Sequence, residues 1–440
     1  MVSCFHHVSL ARSAECKRAS RRLLPSSIRS AVKSNSSLLS VERPSISTSL
    51  RQRLFSAFTT VVFTATTFAN PVATTASVLA VPDVAGLSAN PVKNARALLR
   101  NALPVANKPV RQVQKHLEDI SENLRVPGVD FRGVQKNVNA AIRTLEKGKA
   151  VIVKDVALEN KEEVQQVLNK LQTELLELKR IAENEDRQAL PGKQQQVLEY
   201  VGQIEEAMIG SFPFEVPTEF QSLPRLEGRA TVEIDLTFTQ NPNYEKGKML
   251  LMIDGYNAPI SSGNFADLVV SGFYDGMEWQ RADGFVVQTG QPSDGSVGYK
   301  PTGLSAIRNI PLEIMVQGDS VPSYGETLED MGRYREEPVL PFNAFGTVAW
   351  ARNEFDNNSA SSQFFVLLKE SELTPSGTNI LDGRYGVFGY IIEGQDFLRE
   401  IKVGDKISKM KLISGGEHLI NNKSGAQSEG QSQTITDADV

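Results

Sequence analysis

Gly284-Phe285-Val286-Val287-Gln288-Thr289-Gly290 and Ser362-Gln363-Phe364-Phe365-Val366-Leu367-Leu368 are the stretches on which the fold turns. Each is a short run of β-branched and aromatic residues bounded by Gly or Ser, which is the pattern of a strand. Side chains alternate across a strand, so Val286 shares a face with Gln288, and Gln363 shares one with Phe365.

Working outward, Ala230, Val232, Ile234 and Leu236 alternate with Thr231, Glu233, Asp235 and Thr237, the mark of a half-buried strand. Met249 to Ile253 is a short apolar run of strand type, and further strands are predicted over 285–289, 346–351, 363–368 and 387–392. Ser261 and Ser262 are expected to cap a helix carrying Phe265, Leu268 and Val269 on one face. Many short strands with one or two helices point to a closed or nearly closed barrel.

Several segments of this region carry a resemblance. They are Asn257-Ala258-Pro259 with Gly263-Asn264-Phe265, Phe273-Tyr274-Asp275-Gly276, the 284–290 stretch, Ser362-Gln363-Phe364-Phe365, and Leu381-Asp382-Gly383-Arg384-Tyr385-Gly386-Val387-Phe388-Gly389. In that order, over about residues 227–418, they resemble the successive signatures of the cyclophilins. The fold class this implies is α+β multidomain, an N-terminal helical bundle followed by an eight-stranded cyclophilin-like antiparallel β-barrel. The activity implied is cis/trans isomerisation of X-Pro bonds, whose uncatalysed barrier is about 18–20 kcal/mol because rotation breaks amide resonance. Such a reaction requires no nucleophile, metal or acid–base pair, and no cofactor is expected.

By the same resemblance, Arg281 is the donor aimed at the imide nitrogen. Phe285, Val286, Phe365 and Leu381 match pocket-wall positions, Gln288 a residue that binds substrate backbone, and Ala351 and Arg352 the groove edge; Gln363, Ile380 and Tyr385 complete the candidate set. Three departures matter. Arg281 lies four residues before Phe285 where the family usually has five, so its side chain is at risk of being misaimed. Ile380 stands where many members have Trp, and Tyr385 where most have His. Loss of the indole implies weak cyclosporin binding. These departures keep open a second reading, a proline-segment-binding chaperone or scaffold with little turnover whose groove is masked by the helices. The acidic run Glu326-Thr327-Leu328-Glu329-Asp330 with Glu336-Glu337 is read as solvated loop, the alternatives being a cover over the groove or a contact for a basic partner.

Upstream, residues 93–211 read as helical, and 212–226, with Pro213, Pro217 and Pro224, as a stiff linker. Leu103 and Pro104 end a first short helix that carries Ala95, Leu98, Leu99 and Ala102. Val110, Val113, Leu117, Ile120 and Leu124 recur at spacings of three and four, as do Val164, Leu168, Leu171, Leu175 and Leu178. Val134, Val138, Ala141, Ile142 and Leu145 suggest a helix between those two stripes, and Pro191-Gly192 is expected to break the chain before Val197, Val201, Ile204 and Met208. The leucine stripe fits a dimerising zipper or the seam of an intramolecular bundle. It spans barely two heptads, which favours the bundle and a monomer.

The whole chain has 440 residues, 47 Lys+Arg, 52 Asp+Glu and a net charge of −5, a balance unsuited to nucleic-acid binding through bulk charge. Residues 1–80 hold ten of those basic groups against only Glu15 and Glu42, and residues 1–50 hold fourteen Ser. That is the profile of an organelle transit peptide. Arg51, Arg53 and the apolar stretch 54–69 then resemble an export signal, shorter than the roughly 20 residues of a spanning helix. Residues 1–80 are therefore read as a bipartite thylakoid-lumen address, with cleavage between about 69 and 81. Both cysteines, Cys4 and Cys16, and two of the four histidines, His6 and His7, lie in this head, so Cys-based zinc sites and multi-His clusters are not expected downstream. With the address, the helical region resembles the multidomain thylakoid-lumen cyclophilins. Implied partners are proline-containing segments, among them lumenal loops of photosystem II subunits, with no nucleic acid and no integral membrane span. Residues 419–440 are read as a disordered tail.

Overall fold

The computed structural model describes residues 92–125, 128–370 and 379–421. The address at 1–80 lies outside the described residues, as does the expected tail beyond 421; the first residues of that tail, Leu419 and Ile420, are not disordered but pair as a short strand with Arg225–Leu226.

Five helices come first: α1 (Ala95–Asn101), α2 (Lys108–Arg125), α3 (Phe131–Asp155), α4 (Lys161–Glu183) and α5 (Ala189–Glu206). The apolar stripes of α2–α5 converge on one core containing Val113, Leu117, Val138, Leu171, Leu175, Leu178, Val197 and Val201. The leucine stripe of α4 is thus the seam of a bundle within the chain. Pro191-Gly192 does not break the chain there. Both lie in the first turn of α5, where four amides have no helical partner and a missing N–H costs no bond.

α1 behaves differently. Ala95, Leu98, Leu99 and Ala102 pack into the core of the strand domain. The buried Arg229 guanidinium bonds the Leu99 carbonyl and pairs with Asp254 at 2.6 Å, while Asn257 Nδ2 donates to the Ala102 carbonyl at 2.9 Å. Arg96 adds an ion pair to Glu393 at 2.6 Å. The helix caps the strand domain, while the Arg100–Glu118 pair at 3.1 Å and the Arg111 guanidinium on the Arg100 carbonyl at 2.9 Å tie it also to α2.

The strand domain contains β1 (Arg225–Leu226), β2 (Arg229–Thr237), β3 (Lys246–Asp254), β4 (Arg281–Ala282), β5 (Val286–Thr289), β6 (Glu313–Ile314), β7 (Ser323–Tyr324), β8 (Thr347–Trp350), β9 (Phe364–Leu367), β10 (Val387–Glu393), β11 (Lys406–Ser414) and β12 (Leu419–Ile420). Eight of them form one antiparallel sheet in the order β11-β2-β3-β10-β8-β9-β5-β4. The sheet is curled rather than a fully closed barrel, because β4 has only two residues and does not pair with β11 as a strand. The seam is drawn together by the bridge Glu278↔Lys406 and by Gly276 N–H to the Ile407 carbonyl at 2.7 Å. Within the curl lies α6 (Pro259–Val270), buried along all but its last residue, with Phe265 against Tyr274, Phe364 and Phe388.

Ser261 and Ser262 do not cap α6. Proline opens it at the first helical position, where its fixed φ is already helical. The cap comes from Glu313, whose carboxylate accepts from Ile260 N–H at 3.2 Å and Ser261 N–H at 2.8 Å. The β6–β7 hairpin that carries Glu313 starts a segment with its own small core of Leu312, Ile314, Val316 and Leu328. The acidic run downstream is therefore not plain loop: its charges face solvent, while Thr327 and Leu328 are buried. The proline-spaced linker is tied down as well, since β1 pairs with β12 and Phe220 packs on Tyr324 at 5.1 Å. Among the described residues no helix is long and apolar enough to cross a membrane.

Candidate functional site

One row of cross-strand neighbours carries the candidate residues. Arg281 is opposite Gln288, Gln288 opposite Phe365, and Phe365 opposite Ala349, across β4, β5, β9 and β8. The shortened Arg281–Phe285 spacing thus leaves Arg281 in register with Gln288. Asp283 ties the connecting turn together by accepting from Phe285 and Val286 N–H, each at 2.9 Å. Those amides, Val286 foremost, together with Arg281, hold the Asp283 carboxyl below the usual carboxylate range.

The Arg281 guanidinium bonds Asp283 through Nε at 2.7 Å and Nη2 at 2.5 Å, and its side chain remains 51% exposed. It is held beside the row, with part of its charge offset. Gln288 Nε2 donates to Gln363 Oε1 at 3.1 Å, and Gln363 Nε2 to the Val297 carbonyl at 3.0 Å, which fixes both amides on the groove floor.

The aromatic wall is built on Phe365. Tyr385 meets it edge-on at 5.5 Å, and Phe342 stacks beneath it at 6.0 Å and 7°. Such pairs contribute about 0.5–1.5 kcal/mol beyond their buried area. Arg352 lies over the Tyr385 ring at 5.0 Å and donates twice to the Arg384 carbonyl, at 3.0 and 2.9 Å. Tyr385 thus meets one ring edge-on and carries a cation over its own face, at the position where most cyclophilins have histidine. Leu381 is half-buried in the turn Asn379–Tyr385, which Asp382 and Asn379 pin to the Phe342 backbone at 2.8 and 2.9 Å.

The remaining candidates separate by exposure. Val286 is buried and faces Leu367, so it supports the sheet and offers little to a ligand. Ala351 is half-buried, its N–H given to the Gln363 carbonyl at 2.9 Å. Phe285 is 40% exposed and Ile380 70% exposed, two apolar side chains open to solvent. All of this exposure holds with α1–α5 docked. A small recess lined by Ser261, Glu313, Trp350 and Gly386 has a volume of about 10 Å³, far too small for a proline ring. A substrate would lie across the open groove. Among the described residues no cluster of three or more His, Cys, Asp or Glu could hold a metal.

The sequence reading missed Phe342 and Asp283. Phe342 sits in the aperiodic run Pro341-Phe342-Asn343-Ala344-Phe345, and periodicity could not have found it; Asp283 before Gly284 was a readable turn signal.

Comparison with known proteins agrees with this geometry. Residues 236–416 match the family "Cyclophilin type peptidyl-prolyl cis-trans isomerase/CLD". Residues 94–209 match "Peptidyl-prolyl cis-trans isomerase CYP38-like, PsbQ-like domain". The chain is 50% identical over 343 residues to the chloroplastic peptidyl-prolyl cis-trans isomerase CYP38 of Arabidopsis thaliana, with 78% of each chain covered. It is 41% identical over 336 residues to a Synechocystis protein named as a thylakoid lumen peptidyl-prolyl cis-trans isomerase, covering 76% of this chain and 86% of that one. Chloroplastic CYP37 of Arabidopsis thaliana is 32% identical over 340 residues, covering 73% and 69%. The helical domain, the curled sheet and these relatives together establish that the chain belongs to the cyclophilin-type peptidyl-prolyl cis-trans isomerases, as a multidomain member located in the chloroplast thylakoid lumen.

Proposed function

We propose that the chain isomerises X-Pro bonds in lumen-facing loops of photosystem II subunits during assembly and repair, with Arg281 as the catalytic donor. As the imide bond twists, conjugation is lost and the lone pair localises on nitrogen, so a cation placed there stabilises the twisted state more than either planar one. The observation that carries this reading is the shared cross-strand row of Arg281, Gln288 and Phe365, which runs from an exposed guanidinium through a half-buried amide to a ring only 6% exposed. In it, Phe365, Leu381, Tyr385 and Phe285 grip the proline ring, Gln288 and Gln363 bind backbone, and Ala351 and Arg352 border the preceding residues. Ile380 offers an apolar rim to the flanking segment.

A photo-crosslinker at Ile380 of the full chain in thylakoid lumen should capture loops of photosystem II subunits, in competition with a proline tetrapeptide. Capture that the tetrapeptide does not displace would refute the client assignment. A second reading, holding without turnover, is favoured by the Arg281–Asp283 pair, which draws the guanidinium towards its own turn. Turnover on the same tetrapeptide separates the two. Masking of the groove by the helical bundle is disfavoured by the exposure of Phe285 and Ile380.

A further inference from the structure

The turn Asn379–Tyr385 has two sides. One bears Leu381 and Tyr385 towards the groove. The other rests on Thr327–Arg333, a segment that belongs to none of the strands. Leu328 is 2% exposed, and its N–H donates to the Gly383 carbonyl at 2.9 Å. The approach is close: a Cβ on Gly383, whose φ is +73°, would stand 2.8 Å from Leu328 Cβ. Only glycine meets both the conformation and the space there.

Leu328 is itself held from below by Leu312, Ile314 and Val316. Its segment is fixed by Thr327 Oγ1 to Asp330 at 2.7 Å and by Arg333 N–H to the Leu328 carbonyl at 2.7 Å. Arg333 is anchored in turn to Asp319 at 2.7 Å. Above Gly383 the connection continues through the Arg384 carbonyl to Arg352, from Arg352 to the Tyr385 ring, and from there to Phe365. The Glu329–Arg384 pair at 2.7 Å is solvent-exposed on both sides, and such pairs contribute little.

We propose that Leu328 is a positioning residue of this isomerase: packed under Gly383, it sets the height of the Leu381–Tyr385 turn over Phe365 and so the width of the proline pocket. The proposal rests on the isomerase reading of the groove. Displacements of about 1 Å remote from the chemistry can cost up to about a hundredfold in rate, which makes such a buttress measurable.

The test compares full-length wild type, Leu328→Ala, Leu328→Met and Val232→Ala. Val232 is fully buried on β2, opposite Leu251 and Leu412, and has no part in the groove or its backing. Each is assayed for kcat and KM on a tetrapeptide with one X-Pro bond, for affinity to that peptide, and for thermal unfolding. Leu328→Ala should raise KM and Kd about tenfold, with Leu328→Met restoring them to within about twofold. Val232→Ala should lower the unfolding temperature as Leu328→Ala does and leave KM and Kd unchanged. Unchanged values in Leu328→Ala, or equal changes in Val232→Ala, would overturn the proposal. A wild type without turnover would refute the isomerase reading, and the affinities would still decide the role of Leu328.

Discussion

Glu313→Gln is the perturbation whose consequence the structure sets most fully. Glu313 is fully buried and its two oxygens accept the first amides of α6. Burial pushes its carboxyl up from 4.5 to about 7, against the lowering pull of the Ser261 and Ile260 donors. Between those values the folded chain holds a proton that the unfolded chain has released, so the contribution is whole below about 4.5 and is lost as pH rises through 7. At 1.36 kcal/mol per pH unit the loss is about 3 kcal/mol. Glutamine cannot ionise, and the variant lacks that slope. Urea unfolding of the full chain at pH 4.5, 6, 7 and 8 should show the difference between variant and wild type moving in the variant's favour by about 3 kcal/mol from the lowest pH to the highest. Parallel stability profiles, or a shift in the opposite direction, would refute the reasoning.

Two further predictions follow from packing and from the rim. Arg229→Met leaves Asp254 buried and unpaired and should cost about 3–5 kcal/mol, measured by denaturant unfolding, with faster proteolysis across residues 95–102 as α1 detaches. Ile380→Trp restores an aromatic wall at the exposed rim and should strengthen cyclosporin binding about tenfold by calorimetric titration, an aromatic contact being worth about 1 kcal/mol and its buried area somewhat more; unchanged affinity would place the position outside the groove's contacts.

What sequence could show follows from where side-chain periodicity is undisturbed. β2 and β3 pair residue for residue from Arg229↔Asp254 to Thr237↔Lys246, and the alternation of β2 is plain in the text of the chain. β11 was missed because its register slips between Ile407 and Lys409 and again between Leu412 and Ser414, which destroys a period of two. The bundle stripes were readable, but the allegiance of α1 was not: Leu98 and Leu99 look the same whether they face helices or strands. The cap of α6 by Glu313 lies 52 residues from Ser261, beyond any local capping signal. Motif order singled out Arg281, Gln288 and Phe365 as candidates, and the sheet register makes them neighbours, while the contacts of Leu328 and Phe342 depend on tertiary packing between irregular segments.

The role of Arg281 is tested most directly by kcat and KM for full-length Arg281→Ala on a tetrapeptide with one X-Pro bond. A charge-assisted bond made in the twisted state is worth about 1.5–3 kcal/mol, so kcat should fall about tenfold to a hundredfold while KM stays within about threefold. An unchanged kcat, or a loss confined to KM, would contradict a guanidinium acting on the twisted imide.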